Sequence, residues 1–313
     1  MNVRKIAFVF PGQGSQSVGM GKALAQEYPI ANEIFMQADE ILGFPLSQLA
    51  WEGPVEGLDD TINTQPAIFT HSVAVLEVFS KLNLDLVPSY AAGHSMGELS
   101  ALVGAGSLSF KDGLNLVRKR GELMKRAGKL TPGGMAAVMG LDIPIIEGLC
   151  AQASTDSEIV QVANDNCPGQ VVISGSNAAL DRVQPLLDQA GAKRVIRLAV
   201  SIAAHSPFMS VAQCDFNSAV SATPIKPPYI PVIGNVSASP LAGVNEIRQD
   251  LENQLTHRVR WTESIQVMIS EGINEFIEIG NGSVLGGLIK RIDRSASTFS
   301  LSSPNDFQAL MRL

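Results

Sequence analysis

The sequence predicts an α/β protein with two parts: a large domain built on a mostly parallel sheet, and a small domain inserted into it. Three observations support this prediction. Continuous apolar runs alternate with helical patterns towards both ends of the chain, and the middle third has a separate order of strands and helices. The chain also has 313 residues, which is enough for two hydrophobic cores.

The large domain takes its strands from the two ends of the chain. Lys5–Phe10 (KIAFVF) is an apolar run that stops at a Pro-Gly pair, as expected of a strand buried on both faces. Similar runs occur at Tyr229–Val236 (YIPVIGNV) and Phe276–Gly280 (FIEIG), and the second precedes the helical pattern VLGGLIKRI. Strands that alternate with helices favour a parallel sheet.

The middle third predicts the inserted domain. The segments MAAVMGL, EIVQVAND, QVVISG and KRVIRLAV favour strands, whereas IPIIEGLCAQAS and AALDRVQPLLDQAGA favour helices. The resulting order, β-α-β-β-α-β, is the ferredoxin-like split pattern. It begins after the break Thr131–Gly134 (TPGG) and ends near Ser201. We therefore predict a large domain from residues 1–131 and 201–313, a small domain from residues 132–200, and a cleft between them.

Composition and charge argue against several functional classes. The first apolar run has only six residues, too short for a signal peptide or a membrane span. The net charge of −7 and the lack of an aromatic-basic platform argue against nucleic-acid binding. The three cysteines form no CxxC pair, so they indicate neither a disulfide framework nor a zinc site: Cys150, Cys167 and Cys214. We expect a cytoplasmic protein without a bound metal.

A serine lies between two glycines in Gly93-His94-Ser95-Met96-Gly97. Gly-x-Ser-x-Gly between a strand and a helix forms the nucleophile elbow, a turn so tight that a Cβ at either glycine would clash. The preceding SYAAG suits a strand, and the following ELSALVGAG suits a helix of small residues that packs on a sheet. The pattern predicts that Ser95 is a nucleophile, and the alternative is a glycine-rich turn with an idle serine.

A serine hydroxyl needs a base, and the chain contains four histidines. His71 lies in an apolar helical segment, and His257 lies in a polar stretch. His94 is adjacent to Ser95, and neighbouring side chains diverge at such a turn. His205 follows the strand RVIRLAV, where the chain returns from the insert to the edge of the cleft. By elimination His205 is the predicted base, and the alternative is a core histidine that caps the next helix.

No acidic residue stands out as the third member of a catalytic triad. The acids between the predicted nucleophile and base include Asp112, Asp142, Asp165, Asp181 and Asp188, and none is distinguished by its context. A backbone carbonyl group can orient the imidazole and fix its tautomer instead.

Arg120 lies on the face of a predicted helix that should be buried. Its neighbours three and four residues away are all apolar: Leu116, Val117, Leu123 and Met124. A buried unpaired guanidinium is costly, so Arg120 needs an anionic partner unless its side chain reaches solvent. That partner is either a structural carboxylate of the protein or a substrate carboxylate, which a guanidinium binds through two hydrogen bonds.

The glycine-rich segment PGQGSQSVGMG follows the first predicted strand. It lacks both GxGxxG and GK[ST], so it is not predicted to bind phosphate. In enzymes with a nucleophile elbow, the oxyanion hole takes one N–H from the residue after the nucleophile and one from a nearby loop. Met96 and Gln13 are therefore the predicted donors, and the alternative is a turn that only ends the strand.

Several motifs, in order along the chain, resemble those of the malonyl-CoA:acyl-carrier-protein transacylases and, more widely, the acyltransferase domains of fatty-acid and polyketide synthases. They are FVFPGQGSQ, QPAIFTHSVA, GHSMGE, RGELM, NDNCPGQVVISG, HSPFM and EIGNGSVL. The resemblance covers essentially the whole chain. It implies a hydrolase-like large domain with a ferredoxin-like insert, an acylated Ser95 with His205 as its base, oxyanion donors at Gln13 and Met96, and a malonate carboxylate on Arg120.

The implied reaction moves a malonyl group from malonyl-CoA to the phosphopantetheine thiol of an acyl carrier protein in fatty-acid biosynthesis. The resemblance implies no cofactor, since coenzyme A is part of the substrate. Two basic groups are candidates for docking the anionic carrier or coenzyme A, with ordinary solvated charge as the alternative. They are Lys193, Arg194 and Arg197 on the insert, and Lys290, Arg291 and Arg294 at a late helix.

The resemblance also singles out less typical positions. Asn166, in NDNCPGQ, is a candidate for a contact near the thioester, and Arg260 stands where relatives often have glutamine, so it is a candidate for thioester or carrier binding. Ala203-Ala204 replaces the Phe or Pro-Ser often found before the histidine, which predicts a wider acyl pocket and weaker malonyl selectivity. Asn281 replaces a proline and is expected to affect only a turn.

Three other functions use the same parts. A serine thioesterase would let water deacylate Ser95, but a buried Arg120 and the missing acid argue against it. A trans-acting polyketide acyltransferase with a broader acyl range is chemically close and stays open. A carrier-docking protein without catalysis is disfavoured because Ser95, His205 and Arg120 are all present.

Overall fold

Six strands form the main sheet in a computed structural model that describes residues 5–82 and 86–312. Numbered along the chain, they are β1 (Ile6–Phe10), β2 (Pro88–Gly93), β7 (Val232–Ile233), β8 (Pro240–Leu241), β9 (Glu275–Ile279) and β10 (Ser297–Leu301). Their spatial order is β10-β9-β1-β2-β7-β8, and all neighbouring pairs are parallel except β7 with β8. The mostly parallel sheet that the sequence predicts is confirmed.

The first strand is apolar throughout because both faces of the sheet are covered. Ile6, Phe8 and Phe10 pack into one core, whereas Ala7 and Val9 pack into a second core. The helices of this part of the chain are α1 (Lys22–Glu27), α2 (Pro29–Leu42), α3 (Leu46–Glu52), α4 (Val55–Asp59), α5 (Thr61–Lys81), α6 (Gly97–Gly104), α7 (Phe110–Leu130), α10 (Ser210–Ala222), α11 (Val244–Gln254), α12 (Trp261–Ser270), α13 (Val284–Ile292) and α14 (Pro304–Leu310), with one 3-10 turn at Pro207–Met209.

A second, four-stranded sheet lies between α7 and α10 in the chain. Its elements are β3 (Gly134–Met139), α8 (Ile143–Ala153), β4 (Val160–Cys167), β5 (Gln170–Gly175), α9 (Asn177–Gln189) and β6 (Arg194–Arg197). The strands lie in the order β4-β5-β3-β6, all antiparallel, and enclose a core of their own. This is the β-α-β-β-α-β order that the sequence predicts, and all six elements lie within residues 132–200.

One predicted strand is much shorter than its apolar pattern indicates. Of Tyr229–Val236, only Val232–Ile233 pairs in the sheet. The chain then leaves the sheet because the N–H of Val236 donates to the carboxylate of Asp250 at 3.1 Å, and the N–H of Gly234 donates to the carbonyl of Ser239 at 3.1 Å. The run is apolar because it is buried, and burial alone does not make a strand.

The insert is tied to the main body next to the predicted base. The N–H of Asp165 on β4 donates to the carbonyl of Val259 at 2.9 Å, and the N–H of Val259 donates to Ala163 at 2.8 Å. Gln161, also on β4, donates from Nε2 to the carbonyl of His205 at 3.0 Å. The insert therefore forms one wall of a cleft whose other wall belongs to the main body.

The three cysteines are free thiols, with Cys150 and Cys167 buried and Cys214 exposed. In the part of the chain that the structure describes, no helix is long and apolar enough to cross a membrane. The same residues contain no group of three or more side chains that could hold a metal ion.

Candidate active site

Ser95 lies in the turn between β2 and α6, with a backbone φ of 53°. A positive φ is uncommon for a residue with a side chain and marks a constrained turn. A Cβ at Gly93 would lie 1.9 Å from the carbonyl carbon of Gly97, and a Cβ at Gly97 would lie 2.3 Å from the carbonyl oxygen of Phe10. Backbone contacts therefore require glycine at both positions.

Asn235, which follows β7, holds this turn in place. Its Oδ1 accepts the N–H of Ser95 at 2.7 Å, and its Nδ2 donates to the carbonyl of Gly93 at 2.7 Å. Asn235 is only 3% exposed, so both bonds are shielded from water. Because the N–H of Ser95 is occupied, the next N–H of the turn, that of Met96, is the one left without a partner among the described residues.

The loop after β1 touches the turn. A Cβ at Gly12 would lie 2.5 Å from the carbonyl oxygen of His94, so the two backbones are in direct contact. The side chain of Gln13 donates from Nε2 to Oγ1 of Thr61 at 3.1 Å, while its N–H has no hydrogen-bond partner in the described ranges. The unpaired N–H groups of Gln13 and Met96 fit the two donors that an oxyanion hole needs.

Asn281 also supports this loop. Its Nδ2 donates to the carbonyl of Ser15 at 2.6 Å and to Oγ of Ser17 at 2.9 Å. The effect of this residue thus extends beyond the local turn that the sequence predicts, because its amide links the segment after β9 to the loop that carries Gln13.

His205 faces the serine directly. Its Nε2 lies 2.8 Å from Oγ of Ser95, and its Nδ1 lies 2.9 Å from the carbonyl of Gln254 and 3.2 Å from that of His257. Two carbonyl acceptors fix the proton on Nδ1, which leaves Nε2 free to accept the serine proton. Burial, reinforced by the charge of Arg120, lowers the pKa of His205 to about 3, so the imidazole is neutral.

Two backbone carbonyls thus stand where a triad would place an acid. Among the described residues, none of the aspartates that the sequence offered as third members bonds to His205: Asp112, Asp142, Asp165, Asp181 and Asp188. The base also has a positive φ, 58°, and its carbonyl is held by Gln161 from the insert. Nucleophile and base are therefore both held in constrained backbone conformations.

Arg120 is 1% exposed and meets four neutral acceptors. Nε donates to Oε1 of Gln254 at 3.0 Å, Nη1 to Oε1 of Gln65 at 3.0 Å and to Sδ of Met124 at 3.1 Å, and Nη2 to Oγ of Ser95 at 3.1 Å. Burial lowers the pKa of this guanidinium to about 10 despite the opposing charge of a nearby carboxyl group. No carboxylate within the described residues contacts the guanidinium directly. Its positive charge is therefore not neutralised by an ion pair and can bind a carboxylate of the substrate.

Gln254 and Glu98 are site residues that the sequence does not reveal. Gln254 is fully buried, and besides its bond to Arg120 it donates from Nε2 to the carboxyl of Glu98 and to the carbonyl of Ser95. Glu98 is also fully buried, and burial together with the neighbouring Asp250 raises its pKa well above the usual range. The side-chain amide of Gln254 thus lies between Arg120 and the carboxyl group of Glu98 and bonds to both.

The nucleophile, the base and the guanidinium line one cavity of about 340 Å³ at the cleft. Ser95, His205 and Arg120 meet there with Gln13, and much of the remaining wall is apolar: Met124, Met135, Ala137, Val172, Leu198, Val200 and Ile202. A larger cavity of about 570 Å³ lies behind the base and contains no serine paired with a histidine. The first cavity is therefore the candidate active site.

The remaining predicted positions divide into two groups. Asn166 lines the cavity and accepts from Nε2 of His94 at 2.8 Å, and Ala204 lines it too, whereas Ala203 is fully buried outside the lining. Arg260 does not line it: its guanidinium pairs with Glu263 and donates to the backbone carbonyls of Val236 and Ser237. The hypothesis that Arg260 takes part in thioester or carrier binding stays a prediction.

The basic groups also differ in their placement. Arg291 on α13 donates to Oε1 of Gln170 at 2.6 Å, and Gln170 lines the cavity, so this group lies next to its edge. Arg197 on β6 pairs instead with Asp181 of the insert. Arg197 is followed directly by Leu198, which lines the same cavity, so each basic group has a member beside the cavity.

Comparison with known proteins places the chain among acyl transferases. A model of the acyl transferase domain matches residues 7–301. The malonyl CoA-acyl carrier protein transacylase of Bacillus subtilis is 45% identical over 304 residues, which cover 97% of this chain and 95% of that protein.

Solved structures agree. An acyl carrier protein S-malonyltransferase from Vibrio cholerae superposes with a TM-score of 0.94 at 41% identity, covering 98% of this chain and 99% of that one. A malonyl-transacylase in complex with a type II polyketide acyl-carrier protein gives 0.95 at 38% identity, covering 99% and 100%. The chain therefore belongs to the acyl transferase family, within the group of malonyl CoA-acyl carrier protein transacylases.

Proposed function

We propose that this protein transfers a malonyl group from malonyl-CoA to the phosphopantetheine thiol of an acyl carrier protein through an acyl-Ser95 intermediate. One observation carries the proposal. Oγ of Ser95 lies 2.8 Å from Nε2 of a neutral His205 and 3.1 Å from Nη2 of a buried Arg120. A nucleophile, its base and a cation for a carboxylate therefore meet at one point, and the names of the relatives agree with this chemistry.

In the first half of the cycle, Nε2 of His205 accepts the proton of Ser95 while Oγ attacks the thioester carbonyl carbon. The N–H groups of Met96 and Gln13 stabilise the negative oxygen of the tetrahedral intermediate. The intermediate collapses when the carbon–sulfur bond breaks, and His205 returns the proton to the coenzyme A sulfur. The products are free coenzyme A and a malonyl ester on Ser95.

In the second half, the carrier thiol gives its proton to His205 and attacks the ester carbonyl carbon. The same N–H groups hold the oxyanion, the bond to Oγ breaks, and His205 protonates Ser95. The cycle is therefore ping-pong. It needs no metal and no bound cofactor, because the thioester supplies the activated acyl group.

The substrate carboxylate also tunes the base. In the free enzyme the charge of Arg120 is the second cause, after burial, of the low pKa of His205. A malonyl carboxylate on Arg120 cancels that charge and raises the basicity of the imidazole as the reaction begins. Acetyl thioesters lack this group, so they leave a buried cation unpaired and the base weak.

The test is the intact mass of the protein after incubation with malonyl-CoA, without carrier, beside the Ser95→Ala variant. The proposal expects a lasting malonyl adduct on the wild type, mapped by peptide analysis to Ser95, and none on the variant. Continuous release of free coenzyme A without an adduct would indicate a thioesterase. An equal yield of methylmalonyl adduct from methylmalonyl-CoA would support a broader acyl range around Ala204.

A further inference from the structure

The acceptors around Arg120 are unequal in strength. Three are oxygens, from Gln254, Gln65 and Ser95, at 3.0–3.1 Å from the guanidinium nitrogens. The fourth is the thioether sulfur of Met124, 3.1 Å from Nη1. A thioether is a weak hydrogen-bond acceptor, so Nη1 has one good partner and one poor partner.

A second buried donor meets the same sulfur. Nε2 of Gln65 lies 3.4 Å from Sδ of Met124, and Gln65 is fully buried. A buried N–H group that bonds to a poor acceptor has lost its water and gained little in exchange. Replacing the poor acceptor with a better one therefore stabilises the site. An oxygen at the position of this sulfur would therefore accept hydrogen bonds from both Arg120 and Gln65.

The position of each acceptor decides whether a substrate carboxylate can replace it. Of the four acceptors, only Met124 and Ser95 line the cavity, whereas Gln65 and Gln254 lie behind the guanidinium. Met124 is one helical turn from Arg120 on α7 and is 5% exposed. A carboxylate that enters from the cavity and binds through two oxygens must take the place of the sulfur.

We propose that Met124 is a specificity-determining residue whose sulfur occupies the site of one substrate carboxylate oxygen. The inference rests on the proposed function. On binding, the carboxylate displaces Sδ and takes the donors of Arg120 and Gln65. The flexible methionine side chain moves aside with little strain, and the weak bond lost costs little. A stronger acceptor at this position would compete with malonyl and leave acetyl unaffected.

Oxidation of the same sulfur gives such an acceptor without a mutation. A peroxide transfers one oxygen to Sδ: the O–O bond breaks, an S–O bond forms, water leaves, and the sulfur loses two electrons. The sulfoxide oxygen is a strong acceptor at the place that the carboxylate needs. Oxidised Met124 should therefore block malonyl loading selectively.

The first test compares M124Q and M124L with the wild type. Acylation rates with malonyl-CoA and acetyl-CoA, followed by intact mass, give kcat/KM for each thioester. The amide oxygen of M124Q should lower the malonyl-to-acetyl ratio by about tenfold, mainly through KM for malonyl-CoA, as one added neutral hydrogen bond predicts. M124L has no acceptor, so any change in its rates should be shared by the two thioesters. M36Q adds the same amide at Met36, outside the cavity, and is the control that should keep the wild-type rates.

An unchanged malonyl-to-acetyl ratio in M124Q, or an equal fall of this ratio in M124L, would overturn the inference and show that Met124 only fills space.

The second test does not depend on the folding of M124Q. Hydrogen peroxide is added to the wild type, M124L and M36L, and oxidised methionines are mapped by peptide mass. Met36, at 41% exposure and outside the cavity, is the control.

Malonyl loading should be lost in the wild type and M36L in step with oxidation at position 124, and should persist in M124L. Equal loss in M124L would overturn the inference. A wild type that forms no malonyl adduct before oxidation would instead contradict the proposed function, and the inference would fall with it.

Discussion

Replacing Arg120 with methionine removes a buried cation from the cavity wall and keeps an unbranched side chain. Arg120 is 1% exposed, and its Nη2 lies 3.1 Å from Oγ of Ser95, so the change acts beside the nucleophile. It leaves Oε1 of Gln254 and Oε1 of Gln65 without this donor, although Nε2 of Gln254 still bonds to Glu98.

The expected effect on kcat/KM differs between malonyl-CoA and acetyl-CoA. Truncating one partner of a buried, hydrogen-bonded charge pair costs roughly 2–5 kcal/mol. A loss of about 3 kcal/mol lowers kcat/KM for malonyl-CoA on the order of a hundredfold. Acetyl-CoA has no carboxylate to lose, and removing the cation raises the pKa of His205 because the charge of Arg120 is one cause of its lowering. For acetyl-CoA, kcat/KM should therefore stay level or rise.

Single-turnover acylation, followed by intact mass with each thioester, measures both values. Arg118→Met is the matched control: it lies on the same helix, and its Nε pairs with Glu122 at 2.9 Å near the surface. The control should retain wild-type rates with both substrates. An equal fall for malonyl-CoA and acetyl-CoA in Arg120→Met would show that Arg120 is a structural cation and does not bind the substrate carboxylate.

Three further changes test other parts of the site. Because the pKa of His205 is lowered to about 3, the base is neutral in the free enzyme. A profile of kcat/KM for malonyl-CoA from pH 5 to 8 should therefore show no loss of activity near the ordinary histidine pKa of about 6.5. A loss of activity there would contradict a buried neutral base. Asn235→Ala leaves the N–H of Ser95 and the carbonyl of Gly93 unpaired, which should lower the free energy of unfolding by about 3 kcal/mol in urea titrations, and a loss under about 0.5 kcal/mol would show that Asn235 does not hold the turn. Gly93→Ala places a Cβ 1.9 Å from the carbonyl carbon of Gly97 and should abolish acylation in the intact-mass assay; retained acylation would mean that the turn can open.

The sequence was sufficient for the parts of the site that depend on local pattern. The tight turn at Ser95 follows from two glycines that a Cβ would displace, and the burial of Arg120 follows from four apolar neighbours on one helix. Elimination among four histidines selects His205, which the structure places 2.8 Å from the serine. Each of these inferences uses spacing within one element or a very short list of candidates.

The parts that were missed depend on how distant segments assemble. Gln254 ends a helix rich in polar residues, and Glu98 lies in the first turn of α6, where acidic residues are common, yet both side chains are fully buried. Asn235 lies in an apolar run that favours a strand, but its amide reaches back to the elbow. Arg260 pairs with Glu263 three residues away, a contact that the resemblance to the family did not indicate.

Transfer from an isolated acyl-enzyme tests the proposed function without interference from malonyl-CoA. The wild type is loaded with malonyl-CoA, separated from free coenzyme A, and mixed with a phosphopantetheinylated acyl carrier protein while both masses are followed. We expect that the protein loses the malonyl group from Ser95 and that the carrier gains it. Release of free malonate with an unmodified carrier would contradict the proposed function and show that the protein is a hydrolase.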